Sequence, residues 1–70
     1  MRYAIVIENA GANYPAYVLD LPGCAATGAT IAEVEEAIRE AIELHLQGMR
    51  QDGTPIPESS SQVDYVEVAA

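Results

Sequence analysis

The chain has 70 residues and a mass of 7.5 kDa, with three basic residues, none of them Lys, against 11 acidic ones and a net charge of −8. That balance argues against unaided nucleic-acid binding and against anionic membrane surfaces, because both need clustered Lys and Arg. A single cysteine, Cys24, excludes an internal disulfide and multi-cysteine zinc sites, and no apolar run approaches a signal peptide or a membrane span, so one small domain over 1–70 in a reducing cytoplasm is the expectation.

Tyr3 to Glu8, rich in Ile and Val, predicts a first strand. The Asn and Gly cluster from Asn9 to Asn13 predicts a turn. A second strand follows from Tyr14 to about Asp20, with Pro15 near its start, where a missing N–H is tolerated. Leu21-Pro22-Gly23 breaks the chain, and Cys24 to Gly28 reads as a short third strand.

Thr30-Ile31-Ala32-Glu33 has the capping-box pattern and opens a helix that should end near Gln51, with Gly53 as the stop. Ile31, Val34, Ile38, Ala41, Ile42 and Met49 share one stripe, with Glu36, Arg39, Glu40, Glu43, Gln47 and Arg50 opposite. Glu35–Arg39 and Arg39–Glu43 have the spacing of helix ion pairs. A polar, Pro-containing connection then leads to a fourth strand over Gln62–Val68. The alternation there is ambiguous, because Val63 and Tyr65 face one way and Val66 and Val68 the other.

The order β-β-β-α-β is an α+β fold: an antiparallel meander, one helix, and a last strand that could join parallel to the third by a right-handed crossover. One helix covers one sheet face. The other should carry Ala4, Val6 and, depending on register, Val18 and Ala26, which are too apolar for open solvent. Twelve Ala and no Phe or Trp make a thin core, so a second subunit on that face is expected.

The stretches Tyr14-Pro-Ala-Tyr17-Val-Leu-Asp20-Leu-Pro-Gly-Cys24, Ala37 to Leu46 and Asp52-Gly-Thr-Pro-Ile-Pro57 resemble the HicB-like antitoxin family across nearly the whole sequence. The resemblance implies a partial ribonuclease-H-like fold and a role in type II toxin–antitoxin pairs. The expected partner is a small, basic, mRNA-cleaving toxin of the HicA-like kind, bound directly, with dimers or tetramers of the antitoxin itself. Many family members add a C-terminal DNA-binding domain. The sequence reaches Ala70 without one, so no direct operator contact is expected.

Candidate partner-binding residues are Tyr14, Tyr17, Asp20, Leu21 and Cys24, although Pro22 and Gly23 read first as a plain turn and Asp20 reads either way. Cys24 reads as a small buried thiol, and His45, seven residues after Ile38, as a packed residue of the apolar stripe. Glu8, Asp20 and the helix acids do not assemble a two-metal nuclease site, because the helix acids lie opposite the sheet. No catalytic residue, metal ligand or cofactor is therefore expected. A stand-alone homo-oligomeric adaptor without a toxin is the alternative, and a metal-dependent nuclease a distant third.

Overall fold

The computed structural model describes residues 1–69. Three strands and a helix follow one another: β1 (Ile5–Ile7), β2 (Tyr14–Val18), β3 (Ala25–Gly28) and α1 (Ile31–Gln51). The strands form an antiparallel sheet in the order β1-β2-β3. This is the expected α+β meander plus helix, an arrangement consistent with a partial ribonuclease-H-like fold.

Local chemistry sets each joint. After β1, the Asn9 carboxamide accepts the Gly11 N–H at 3.0 Å, and Ala10 N–H reaches the Asn13 carbonyl. After β2, Pro22 and Gly23 occupy the middle of a turn that the Cys24 N–H closes onto the Leu21 carbonyl at 3.1 Å. Gly23 has φ +83, the left-handed value that the third position of a type II turn requires and that a side chain resists.

The helix is capped at both ends. Thr30 sits in extended conformation and its hydroxyl accepts the Glu33 N–H at 3.1 Å. The Glu33 carboxylate reaches back to the Ala29 N–H at 3.0 Å, one residue before the cap itself. At the far end the Thr54 N–H bonds the Met49 carbonyl and the Gly53 N–H bonds the Arg50 carbonyl, with Gly53 at φ +69. These are the two hydrogen bonds of a Schellman closure, and they turn the chain back towards the sheet.

Ala16, Val18, Leu21, Cys24, Val34, Ile38 and Leu46 form the buried core. Tyr3, Ile5, Ile7, Tyr14, Ala26, Ile42, Met49 and Ile56 pack partly buried around it. Each full burial of a Val, Leu or Ile contributes about 1.5–3 kcal/mol. Val34, Ile38, Ile42 and Leu46 follow one i, i+4 row, which is inclined to the helix axis. The contact line therefore drifts round the helix. Leu46 is buried while His45 stays half-buried, and Ile31, at the start of the expected stripe, is half exposed.

The strand register corrects two face assignments. Ile5 pairs with Val18, Ile7 with Ala16, and Ala16 with Ala26. Val18 is buried in the core, and Ala26 packs against it. Both lie on the helix side, not beside Ala4 and Val6. Alternation places Ala4, Val6, Tyr17, Leu19 and Ala25 on the opposite face.

The fourth strand does not form. Residues 54–69 carry no ladder pairing, and the segment runs past the β1 side of the sheet, not the β3 side. Nor do the expected i, i+4 ion pairs form. Arg39 instead meets Glu36 at 3.4 Å, with both side chains exposed.

Candidate functional site

The candidate residues divide between core, clamp and surface. Leu21 is fully buried and Cys24 nearly so, which makes them supports of the β2–β3 turn and withdraws them from direct contact with a partner. Burial raises the Cys24 pKa above the ordinary thiol value, so at neutral pH the group is a protonated, unreactive thiol. Tyr14 points to the helix side and packs partly buried against the core.

Asp20 is engaged within the chain. One carboxylate oxygen accepts the N–H groups of Ser60 and Ser61 at 3.1 and 2.9 Å. The other accepts the Ser61 and Ser60 hydroxyls at 2.7 and 3.4 Å. The Ser61 N–H and hydroxyl are the main cause of an Asp20 pKa below the ordinary 3.8, because they stabilise the ionised form. Tyr3 adds a second tie: its hydroxyl donates to the Pro57 carbonyl at 2.7 Å. Together these bonds hold the chain leaving the helix against the β1 start and the β2 end. The sequence signal for this clamp was the Ser59-Ser60-Ser61 run, which reads alone only as a polar linker.

Tyr17 is the candidate that faces solvent, at 42% exposure, directly across from Val6. With Leu19, itself 39% exposed, the pair makes a shallow apolar patch on the sheet face away from the helix. The residues expected to bind a partner and those expected to bind a second copy thus meet in one surface at Tyr17 and Val6. The opposite side of the molecule carries the exposed acids Glu33, Glu35, Glu36, Glu40 and Glu43 along α1. They follow the helix outward and converge on no common point. Among the described residues no group of three or more His, Cys, Asp or Glu is placed to hold a metal ion.

A third surface lies along β1. The helix packs across β3 and β2 and barely reaches β1. An open groove of about 680 Å³ remains between them, with Tyr3, Ile5, Ile7, Ile38, Ile42 and Leu46 in its walls and Glu35, Arg39 and Glu43 also lining it. No residue spacing announced it, because it results from the helix lying over β3 and β2 and not over β1. Among the described residues no helix is long and apolar enough to cross a membrane.

Comparison with known proteins places these features in a family. The family model for the HicB-like antitoxin of bacterial toxin–antitoxin systems matches residues 3–69. An uncharacterized 14.9 kDa protein from the rep-hol intergenic region of Haemophilus phage HP1 (strain HP1c1) is 36% identical over 66 residues, which is 94% of this chain. The chain spans about half the length of that phage relative. No solved structure matches. The chain belongs to the HicB-like antitoxin family.

Proposed function

We propose that this chain is the toxin-binding portion of an antitoxin, a cytoplasmic binding protein and not an enzyme, which neutralises a small basic mRNA-cleaving toxin by direct contact. The family match over residues 3–69 carries the reading. The charge supports it: a net −8 draws a basic partner in at long range and speeds encounter by one to three orders of magnitude at low salt. The contact itself is assigned to the patch of Tyr17, Val6 and Leu19, where an exposed aromatic ring can enter a pocket on the partner. Asp20, Leu21, Cys24 and Tyr14 support that patch from behind and do not enter the interface. The antitoxin also self-associates, which leaves less apolar surface in water than a lone copy does.

The test pairs this protein with the small basic protein encoded beside it. Co-purification, growth rescue, and binding that weakens as salt rises are expected. Tyr17→Ala should lower affinity by about 2 kcal/mol, near thirtyfold, with the fold unchanged by circular dichroism. A basic neighbour that neither binds nor is neutralised would overturn the proposal.

A further inference from the structure

The chain that leaves the helix is tied to the sheet at two places, and both flank one rung of the β1–β2 ladder. The Leu19 N–H donates to the Ala4 carbonyl at 3.1 Å, one step beyond the ends of both strands. Tyr3 precedes Ala4, and its hydroxyl donates to the Pro57 carbonyl at 2.7 Å. Asp20 follows Leu19, and its carboxylate accepts from both N–H groups and both hydroxyls of Ser60 and Ser61. The segment from Pro57 to Ser61 therefore reaches from one side of the Ala4–Leu19 rung to the other. An open cleft of about 660 Å³ lies between Met1 to Ile5 and the stretch of Ser59, Ser61, Gln62 and Val63, so beyond Pro57 the bonds to Asp20 are the anchorage of the segment.

That rung is the weak end of the sheet. β1 has only three residues, no strand on its outer side and little of the helix over it. The ends of such short elements open first. The same rung matters for recognition, because Leu19 is one of the three side chains of the exposed patch with Val6 and Tyr17. Tyr3 packs on the core side with Ile5 and Ile7, so its tie reaches the rung from the face away from the patch and leaves the patch open to a partner.

We propose that Asp20, with Tyr3 and the Ser60–Ser61 segment, is a brace that closes the Ala4–Leu19 rung and so holds Leu19 in the toxin-binding patch. Asp20 is a positioning residue: it acts through Leu19 and does not touch the partner. Its four donors fill the acceptor positions of a carboxylate, which leaves none for a Lys or Arg of a basic protein. Two distant parts of the chain then share one equilibrium. With the brace closed, Leu19 stands beside Tyr17 and Val6. With it open, the rung frays and the patch loses one of its three side chains. A partner that needs Leu19 binds the closed state better, so its binding must tighten the brace by the same factor by which the brace tightens binding. Closure of the rung is a property of the chain alone, whereas its effect on the toxin rests on the function proposed above.

The tests keep those two parts distinguishable. Asp20→Asn turns one acceptor oxygen into a donor, and the double variant Ser60→Ala, Ser61→Ala removes two hydroxyls that lie outside every strand and the helix. Both should keep the circular dichroism of the folded chain. In the full chain without a partner, both should speed amide exchange at Leu19 by about tenfold while amides inside α1 keep their rates. Unchanged exchange at Leu19 in both variants overturns the brace. Binding to the small basic protein encoded beside this one should weaken by about tenfold in either variant. On a Leu19→Ala background Asp20→Asn should cost nothing more, and on a Tyr17→Ala background it should still cost about tenfold. An equal loss on both backgrounds would mean that Asp20 meets the partner directly, and unchanged binding that Leu19 needs no brace; each overturns the positioning role. In the complex, amide exchange at Ser60 and Ser61 should slow by about the same factor, and unaltered exchange there overturns the coupling. A parent chain that binds no basic neighbour overturns the function and the coupling with it, and exchange at Leu19 then decides the brace alone.

Discussion

Gly28, the last residue of β3, lies close against the start of α1, and Gly28→Ala tests that packing. A methyl group there would lie 2.5 Å from the Val34 backbone nitrogen, 2.9 Å from its Cα and 3.0 Å from the Glu33 carbonyl carbon. All three are backbone atoms, so no side-chain rotation relieves the clash. The helix start would have to retreat by several tenths of an ångström. It is held by the Thr30 cap at 3.1 Å, and Val34 itself is fully buried. Overpacking of this kind costs about 1–3 kcal/mol. A 70-residue domain has a total stability of about 3.5–10 kcal/mol, so the upper figure is a large part of it. A 3 kcal/mol loss lowers Tm by about 12–24 °C in a domain of this size. Gly48→Ala is the control: nothing lies within 4 Å of an added Cβ, and the position is helical. It should stabilise by about 0.5–1 kcal/mol. Thermal and urea unfolding followed by circular dichroism measure both. A Gly28→Ala protein within about 0.5 kcal/mol of the parent would refute the close packing of β3 on α1.

Asp20 is ionised below the usual carboxylate range, so its contribution to holding Ser60 and Ser61 is fully present above pH 3.8 and is lost as pH falls through its lower folded value. Amide exchange at Ser60 and Ser61 should accelerate in that acid window and be fast at every pH in Asp20→Ala; protection that persists in the variant would show that the carboxylate is not the clamp. Tyr3→Phe removes the 2.7 Å bond to Pro57 and should cost about 1 kcal/mol of unfolding free energy, an unchanged value placing that hydroxyl in water. Arg39→Ala breaks an exposed pair and should change stability by less than about 0.5 kcal/mol, and a larger loss would mean that the helix exterior is structured by charge.

Capped and punctuated elements were legible in the residues. The Thr30–Glu33 box, the Gly53 stop and the Pro22-Gly23 turn each depend on chemistry within four or five positions, and each is found where it was expected. Register was not legible, because a slip of one residue moves a whole strand's side chains to the other face. Val18 and Ala26 changed sides for that reason, whereas Tyr14 and Tyr17, three positions apart in β2, stand on opposite faces by alternation alone. The i, i+4 drift that buries Leu46 depends on the angle between helix and sheet, which no helix stripe encodes. Asp20, read as a charge available to a partner, bonds residues 40 and 41 positions away, a separation at which local pattern is silent.

The Asp20 clamp has one further consequence, in the arithmetic of reach. It fixes the root of the segment that follows, and the eight described residues from Gln62 to Ala69 reach at most about 28 Å when fully drawn out. Any group on these residues is confined to a sphere of that radius about the clamp, equivalent to a local concentration on the order of 10 mM against the body of the protein. Loosening the root by acidification would lengthen that reach and dilute it.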